Sequence, residues 1–175
     1  MATANTSPTV DVAAGLVALE EDIPKVLRIE GASSLEELGW SRPNKLTLLV
    51  PMRGKRAGAT DDYLLRLGFQ AYRKWPPSAQ FVNPETQTYR DHGDQHHVPK
   101  LTSPECRTHI DYRRSQADTP IQLVCCSATL EFYEVLHSVE PYHVWRGTDT
   151  FFSTITAIRK AFASFYEGRF PEYGR

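Results

Sequence analysis

Short strand-like runs joined by turn-sized links fill much of the first half of the 175-residue chain, and they constrain its fold most strongly. These runs are residues 26–30, 45–50, 63–69 and 80–82. Strands joined by short links pair antiparallel, because parallel neighbours need a crossover of a dozen or more residues. The runs therefore predict a four-stranded antiparallel meander. The basic segment 53–58 is expected to be a flexible connection within it.

Helical periodicity lies on both sides of this region. Residues 9–21 carry apolar side chains at roughly helical spacing, and Pro24 is expected to end that N-terminal helix. A C-terminal helix is predicted to begin near Thr148 or Asp149, where apolar residues recur at steps of four, three, four and three. Its apolar face comprises Phe151, Ile155, Ile158, Phe162 and Phe165. Helix, strands and helix in this order predict the α+β class.

The stretch from 84 to 120 shows almost no apolar periodicity and contains four prolines. A loop this long is usually functional or mobile, so the part from 85 to 118 is expected to be a long irregular loop. Residues 121–125 then read as a short buried strand. We expect residues 1–8 to form a flexible N-terminus and residues 9–175 to form one domain.

Charge and composition exclude several classes of function. Lysine and arginine total 20, aspartate and glutamate total 21, and the net charge is -1. This balance argues against a nucleic-acid partner, since such binding depends mainly on lysine and arginine. No apolar run approaches the ~20 residues that span a membrane. The N-terminus does not resemble a signal peptide, and three cysteines, two of them adjacent, make a poor disulfide framework, so a cytoplasmic protein is expected.

Several segments of the sequence resemble the ubiquitin-conjugating-enzyme (UBC-like) family. The segment YLLRLGFQAYRKWPPSAQFVNP at 63–84 is similar to a family strand, its tyrosine-proline-proline turn and the strand that follows. The segment VCCSATLEFYEVLH at 124–137 and then Trp145 resemble the active-site cysteine and the tryptophan that precedes the family's next helix. The C-terminal FYEGRF at 165–170 is similar to the tail of prokaryotic members. The likeness covers roughly residues 10–170 and is closest to the divergent bacterial relatives.

This resemblance implies a transferase. The protein would take a ubiquitin-like modifier from an activating enzyme as a cysteine thioester and pass it to a protein target. A thiol suits this chemistry because its thiolate is both a nucleophile and a good leaving group. No cofactor is expected. The implied setting is a bacterial conjugation pathway of the type that gene neighbourhoods associate with antiphage defence.

The catalytic residues follow from the same resemblance. Cys125 directly follows the apolar Val124, as the family's cysteine follows isoleucine or valine, while Cys126 remains an alternative nucleophile. The eukaryotic His-Pro-Asn triplet is absent, and the chain has no asparagine after Asn83. The oxyanion donor would then be a backbone N–H group or one of the side chains His109, Tyr133 and His137. The resemblance also implies that residues 85–118 form a long active-site loop that lines the approach to Cys125 and is more mobile than the flanking strands. His109, in that loop, is expected to lie within one hydrogen bond or one bridging water of Cys125.

A second likeness overlaps the first. Cys125, Glu131, His137 and His143 follow one another at steps of six, an order similar to the predicted metal-binding CEHH proteins of bacteria. These ligand types suit zinc. Steps of six do not align side chains on one helix face, and Tyr133 stands where those relatives carry a histidine, so we expect no bound metal. The alternative function is an interaction or metal-binding module of the same fold that forms no thioester.

Overall fold

The structure is a computed structural model that describes residue 8 and residues 10–89, 92–113, 115–135 and 144–171. It has the predicted α+β composition, with helices near both ends and strands between them. The helices are α1 (Val12–Glu30), α2 (Leu130–Glu134) and α3 (Phe151–Phe165), with short 3-10 turns at Glu36–Leu38 and His92–His97. The strands are β1 (Ser41–Asn44), β2 (Thr47–Arg56), β3 (Ala59–Gly68), β4 (Ser78–Val82), β5 (Pro99–Leu101), β6 (Cys106–Tyr112), β7 (Ile121–Cys126) and β8 (Tyr166–Arg169).

Helix α1 is longer than predicted. It continues through Pro24 to Glu30, so the expected end at the proline and the expected strand at 26–30 are both wrong. Pro24 and Glu20 face solvent, so water can reach the Glu20 carbonyl that loses its helical partner. Beyond the proline, fully buried Val26 anchors the last turns to the core. Burial of this residue overrides the local cost of the proline.

The first four strands form an antiparallel sheet in the order β1-β2-β3-β4, which confirms the predicted meander. Its first strand is β1 and not residues 26–30. The segment 53–58 is also not a flexible loop, because β2 and β3 stay paired as far as Arg56 and Ala59. Only Ala57 and Gly58 form the turn, with φ of 49° and 83°, and glycine adopts this left-handed backbone at no steric cost.

The core lies between the inner face of this sheet and the two long helices. The C-terminal helix is confirmed, and its predicted apolar residues are buried except Phe165, which is 42% exposed. The side chains at the centre of the core include Leu48, Val50, Leu65, Phe81, Phe151, Ile155 and Ile158. Gly15 lets α1 approach the end of β3, since a Cβ there would meet the Phe69 carbonyl oxygen at 2.1 Å. Among the described residues, no helix combines the length and apolar character needed to cross a membrane.

The stretch from 84 to 120 is more ordered than predicted. It contains a 3-10 turn and two strands, β5 and β6. Strand β5 pairs with β8, and β6 pairs with β7, the predicted buried strand. The expectation of one long irregular loop is therefore wrong. Residues 1–7, which make up most of the predicted flexible N-terminus, lie outside the described residues, as does Thr9.

A buried carboxylate connects α1 to the segment after β3. Asp22 has no exposed surface and accepts hydrogen bonds from the Tyr72 hydroxyl at 2.5 Å and from Arg73 Nε at 2.9 Å. Lys25 Nζ adds an ion pair at 2.8 Å. Burial disfavours ionisation, but the hydrogen bonds from these three side chains outweigh it and lower the pKa of Asp22. The carboxylate is therefore charged and fully engaged.

Asp22→Ala is expected to lower the free energy of unfolding by about 3 kcal/mol, because it leaves buried donors of Tyr72 and Arg73 without their acceptor. Urea unfolding followed by tryptophan fluorescence measures the change. The matched control is Glu21→Ala, which removes the exposed carboxylate bound to the same arginine and should cost less than about 1 kcal/mol. Equal losses in the two variants would contradict the role given to Asp22.

Candidate functional site

The predicted nucleophile lies on the two-stranded sheet of β6 and β7. In this antiparallel pair Cys106 is opposite Cys126, Arg107 is opposite Cys125, and His109 is opposite Leu123. Side chains of directly opposite residues share a face, and successive residues alternate between faces. One face therefore carries Cys106 and Cys126, while the other carries Arg107, His109 and Cys125.

Two of the three cysteines lie on the inner face, where burial makes them unsuitable as nucleophiles. Cys106 is 1% exposed and Cys126 is 2% exposed, and their thiols share a hydrogen bond. This hydrogen bond, together with burial, raises the pKa of the Cys106 thiol well above its usual value. The pair behaves as core-packing side chains. The side chains of Cys125 and Cys126 point to opposite faces of the strand pair, and Cys126 is the one that points into the core.

Cys125 is the one thiol of the three with substantial exposure. Partial burial raises the pKa of Cys125 to about 11, and the neighbouring Cys126 contributes to the same shift. The guanidinium of Arg107, directly across the strand pair, opposes this shift and lowers the pKa of Cys125. At neutral pH Cys125 is therefore a thiol, and forming its thiolate needs help from a nearby cation or a bound partner.

His109 lies on the same face as Cys125, displaced by two residue pairs along the strands. Such diagonal neighbours lie about 7–8 Å apart, a separation that long and aromatic side chains can bridge. The imidazole of His109 also packs near Tyr112, with ring centroids 5.9 Å apart. The two residues share a face, but the expected hydrogen bond or bridging water between His109 and Cys125 stays a prediction, as does the role of His109 as a donor.

Tyr133, another predicted donor, has its hydroxyl engaged by the backbone. The hydroxyl donates to the Ser127 carbonyl and accepts from the Trp145 N–H, both at 2.9 Å. Its ring packs 5.4 Å from the Trp75 ring. These contacts tie the turn after β7 to the segment that precedes α3. To act as an oxyanion donor, Tyr133 would have to release Ser127, and that role also stays a prediction.

Two buried threonines fix the turn that follows the cysteines. The Thr129 hydroxyl shares its proton between the carbonyl oxygens of Val124 and Cys126, at 2.8 Å each. The Thr154 hydroxyl, on α3, donates to the Ala128 carbonyl at 2.6 Å. The end of β7, and hence Cys125, is therefore held against the core by hydrogen bonds from both sides of the turn.

Glu131 lies in the first turn of α2 and is buried against β4. Its carboxyl group accepts the Ala79 N–H at 3.1 and 3.2 Å and is also bonded by the Gln80 amide. Burial raises the pKa of Glu131 to about 8, although these hydrogen bonds partly offset the effect. Glu131 is therefore mostly protonated at neutral pH.

The four residues of the possible zinc site are Cys125, Glu131, His137 and His143. The Glu131 carboxyl group is hydrogen-bonded to Ala79 and Gln80 of β4. His137 and His143 lie outside the described residues, so the catalytic role predicted for His137 stays a prediction. Across the part of the chain that the structure describes, no group of three or more histidine, cysteine, aspartate or glutamate side chains is placed to hold a metal. The absence of bound metal stays a prediction.

Sequence reasoning missed Arg107 and the buried state of Glu131. The segment CRTHIDY alternates small inward residues with longer outward ones, and this pattern could have indicated a strand. It would still not have given the pairing register that sets Arg107 opposite Cys125. Glu131 carries no signal of burial in its own sequence neighbourhood.

Glu131→Gln is expected to flatten the pH dependence of stability. The folded pKa of about 8 lies above the ordinary value of 4.5, so the native state holds a proton that the unfolded chain releases. Wild-type stability from this group is full below pH 4.5 and is lost progressively as pH rises towards about 8. The glutamine variant should therefore gain on the wild type as pH rises from 5 to 8. Urea unfolding at several pH values tests this, and a constant difference would contradict it.

Alkylation should distinguish the three cysteines. In the folded protein, iodoacetamide at pH 8.5 is expected to modify one thiol per chain, because two are in the core; in urea it should modify all three. Intact-mass measurement counts the adducts. Cys125→Ala should abolish the reaction of the folded protein, and Cys126→Ala should retain it. Modification of the Cys125→Ala protein under native conditions would show that another thiol is accessible.

Comparison of the chain with protein-family models, curated proteins and solved structures finds no match. The chemistry of the site is therefore defined by its own geometry. That geometry is a partly exposed thiol on the outer face of a strand pair, with a guanidinium and an imidazole on the same face.

Proposed function

We propose that the protein is a UBC-like conjugating transferase whose Cys125 carries a ubiquitin-like modifier as a thioester. The modifier would come from an activating enzyme and pass to an amine of a protein target in a bacterial conjugation pathway. The element order supports the fold part of this proposal: an N-terminal helix, a four-stranded antiparallel sheet, a cysteine-bearing strand and a C-terminal helix. The UBC-like identity itself rests on the sequence resemblance.

The observation that carries the proposal is the placement of Cys125 on the outer face of the strand pair. It is the partly exposed thiol among the three cysteines, and a guanidinium and an imidazole lie on the same face. A thiol that partners can reach beside a cation is suited to thioester exchange.

The two transfers balance without a cofactor. In charging, the Cys125 sulfur attacks the carbonyl carbon of the thioester on the activating enzyme. A new C–S bond forms, the old one breaks, and the departing sulfur takes up the proton that Cys125 has lost. In discharge, the target amine attacks the same carbon, a C–N bond forms, and Cys125 leaves as a thiolate that takes the amine's proton. His109, on the same face, is the described side chain that could relay this proton.

The high pKa of Cys125 favours a second candidate. A thiol that is protonated at neutral pH fits a UBC-like interaction module that positions partners and forms no thioester. The two candidates differ in whether a covalent adduct on Cys125 ever forms. That difference can be measured without knowing the modifier.

The test uses the tagged full chain produced in its native host and denatured rapidly in acid without added thiol. We expect intact-mass analysis to find a fraction with a protein-sized adduct that dithiothreitol removes. In Cys125→Ser any adduct should be an ester, which survives dithiothreitol and is cleaved by alkali. Cys126→Ala, the neighbouring control, should keep the thiol-sensitive adduct.

Two results would reject the transferase. An adduct that persists in Cys125→Ala would place the chemistry on another residue. No adduct in any variant, with partners still retained on the tagged chain, would favour the interaction module.

A further inference from the structure

Arg107 occupies the position on β6 directly opposite Cys125. Both residues point to the outer face of the strand pair, where Arg107 is exposed and Cys125 is partly exposed. Opposite residues of an antiparallel pair have Cβ atoms about 4.5–5.5 Å apart, so the guanidinium can reach the sulfur without a change in the backbone. Arginine remains charged across the working pH range, unlike histidine.

We propose that Arg107 is the electrostatic partner of Cys125: its guanidinium stabilises the thiolate during charging and again when the acyl group leaves. Cys125 needs such a partner because its partial burial and the adjacent Cys126 both disfavour the thiolate, and Arg107 is the cation that acts in the opposite sense. The role does not depend on a cofactor or on any movement of the strands. The inference depends on the proposed function only for the identity of the acyl group that Cys125 would carry.

Other titratable groups around Cys125 are less suited to the role. On β6, His109 is displaced by two residue pairs, and histidine, unlike arginine, is not a permanent cation. On β7, Cys126 is buried and would repel a neighbouring thiolate if ionised. Helix α2, which packs on β7, contributes Glu131, Tyr133 and Glu134, all of which are neutral or negative. Arg107 is thus the permanent cation among these groups, and its charge is the one that favours the Cys125 thiolate.

The experiment measures the rate of Cys125 alkylation by iodoacetamide between pH 7 and 10 in the purified full chain. Loss of the cation should raise the thiol pKa. Each unit of increase lowers the thiolate fraction tenfold but raises its intrinsic reactivity, which leaves a net loss of about threefold. For Arg107→Gln we expect alkylation at pH 8 to be about two- to threefold slower and the pH profile to shift upward. Arg107→Lys should restore most of the wild-type rate, because it restores the charge.

Two controls separate this effect from a general one. Arg53→Gln removes the same charge from the β2–β3 hairpin and should leave the rate unchanged. In 1 M NaCl the Debye length falls to about 3 Å, so the difference between wild type and Arg107→Gln should shrink. An unchanged profile in Arg107→Gln, an equal effect of Arg53→Gln, or failure of Arg107→Lys to rescue would each overturn the inference.

The result is independent of whether a modifier exists. If Arg107→Gln shifts the alkylation profile but no adduct forms in the native host, the proposed transferase fails and the electrostatic pair stands. If adducts form normally and the profile does not shift, the transferase stands and Arg107 has no part in activating its cysteine.

Discussion

Asp22 imposes the constraint on which the arrangement of the helices depends. Moving a carboxylate out of water costs several kcal/mol, and only a complete set of donors makes its burial tolerable. The Tyr72 hydroxyl supplies one donor and in turn accepts the Phe151 N–H at 3.0 Å, at the start of α3. Arg73 supplies two more, and its carbonyl accepts the Trp145 indole N–H at 2.9 Å. One charge therefore fixes α1, the segment after β3 and the start of α3 relative to one another.

The same network reaches the cysteine. Trp145 is held by Arg73, and its backbone N–H is bound by the Tyr133 hydroxyl, which also holds Ser127 in the turn after β7. A continuous series of hydrogen bonds thus runs from the buried carboxylate to the turn two residues beyond Cys125. In this arrangement Tyr133 acts as a connecting residue, and the position of the turn after Cys125 depends on how α1 and α3 pack.

The sequence predicted the elements whose stability comes from a long apolar period. The C-terminal helix and the central strands belong to this group, because large side chains recur there at the spacing of their secondary structure. Strand β6 escaped prediction because its inward residues, Cys106 and Thr108, are small and weakly apolar. The continuation of α1 past Pro24 depends on burial of Val26, which only tertiary packing provides.

For the site, the alternation of Cys125 and Cys126 was predictable from strand geometry, but the inward face was not. The sheet partner decides it, since Cys126 meets Cys106 across the strand pair. Arg107 could not be assigned from sequence for the same reason: its place opposite Cys125 depends on a register that an irregularity between His109 and Tyr112 helps to set. Contacts between residues that are distant in sequence can be assigned only once the pairing of the strands and its register are known.

The bonds around Asp22 also bear on how the chain matures during synthesis. They join residues separated by 50 positions, from Asp22 to Tyr72, and by 79 positions, from Tyr72 to Phe151. Closing such long loops costs entropy before any contact repays it, so these bonds form late in folding. Before α3 is made, Asp22 already has its donors from Tyr72 and Arg73, but the Tyr72 hydroxyl still lacks the Phe151 N–H. The bonded pair of α1 and the segment after β3 therefore forms first, and the core closes over it only after α3 has been synthesised.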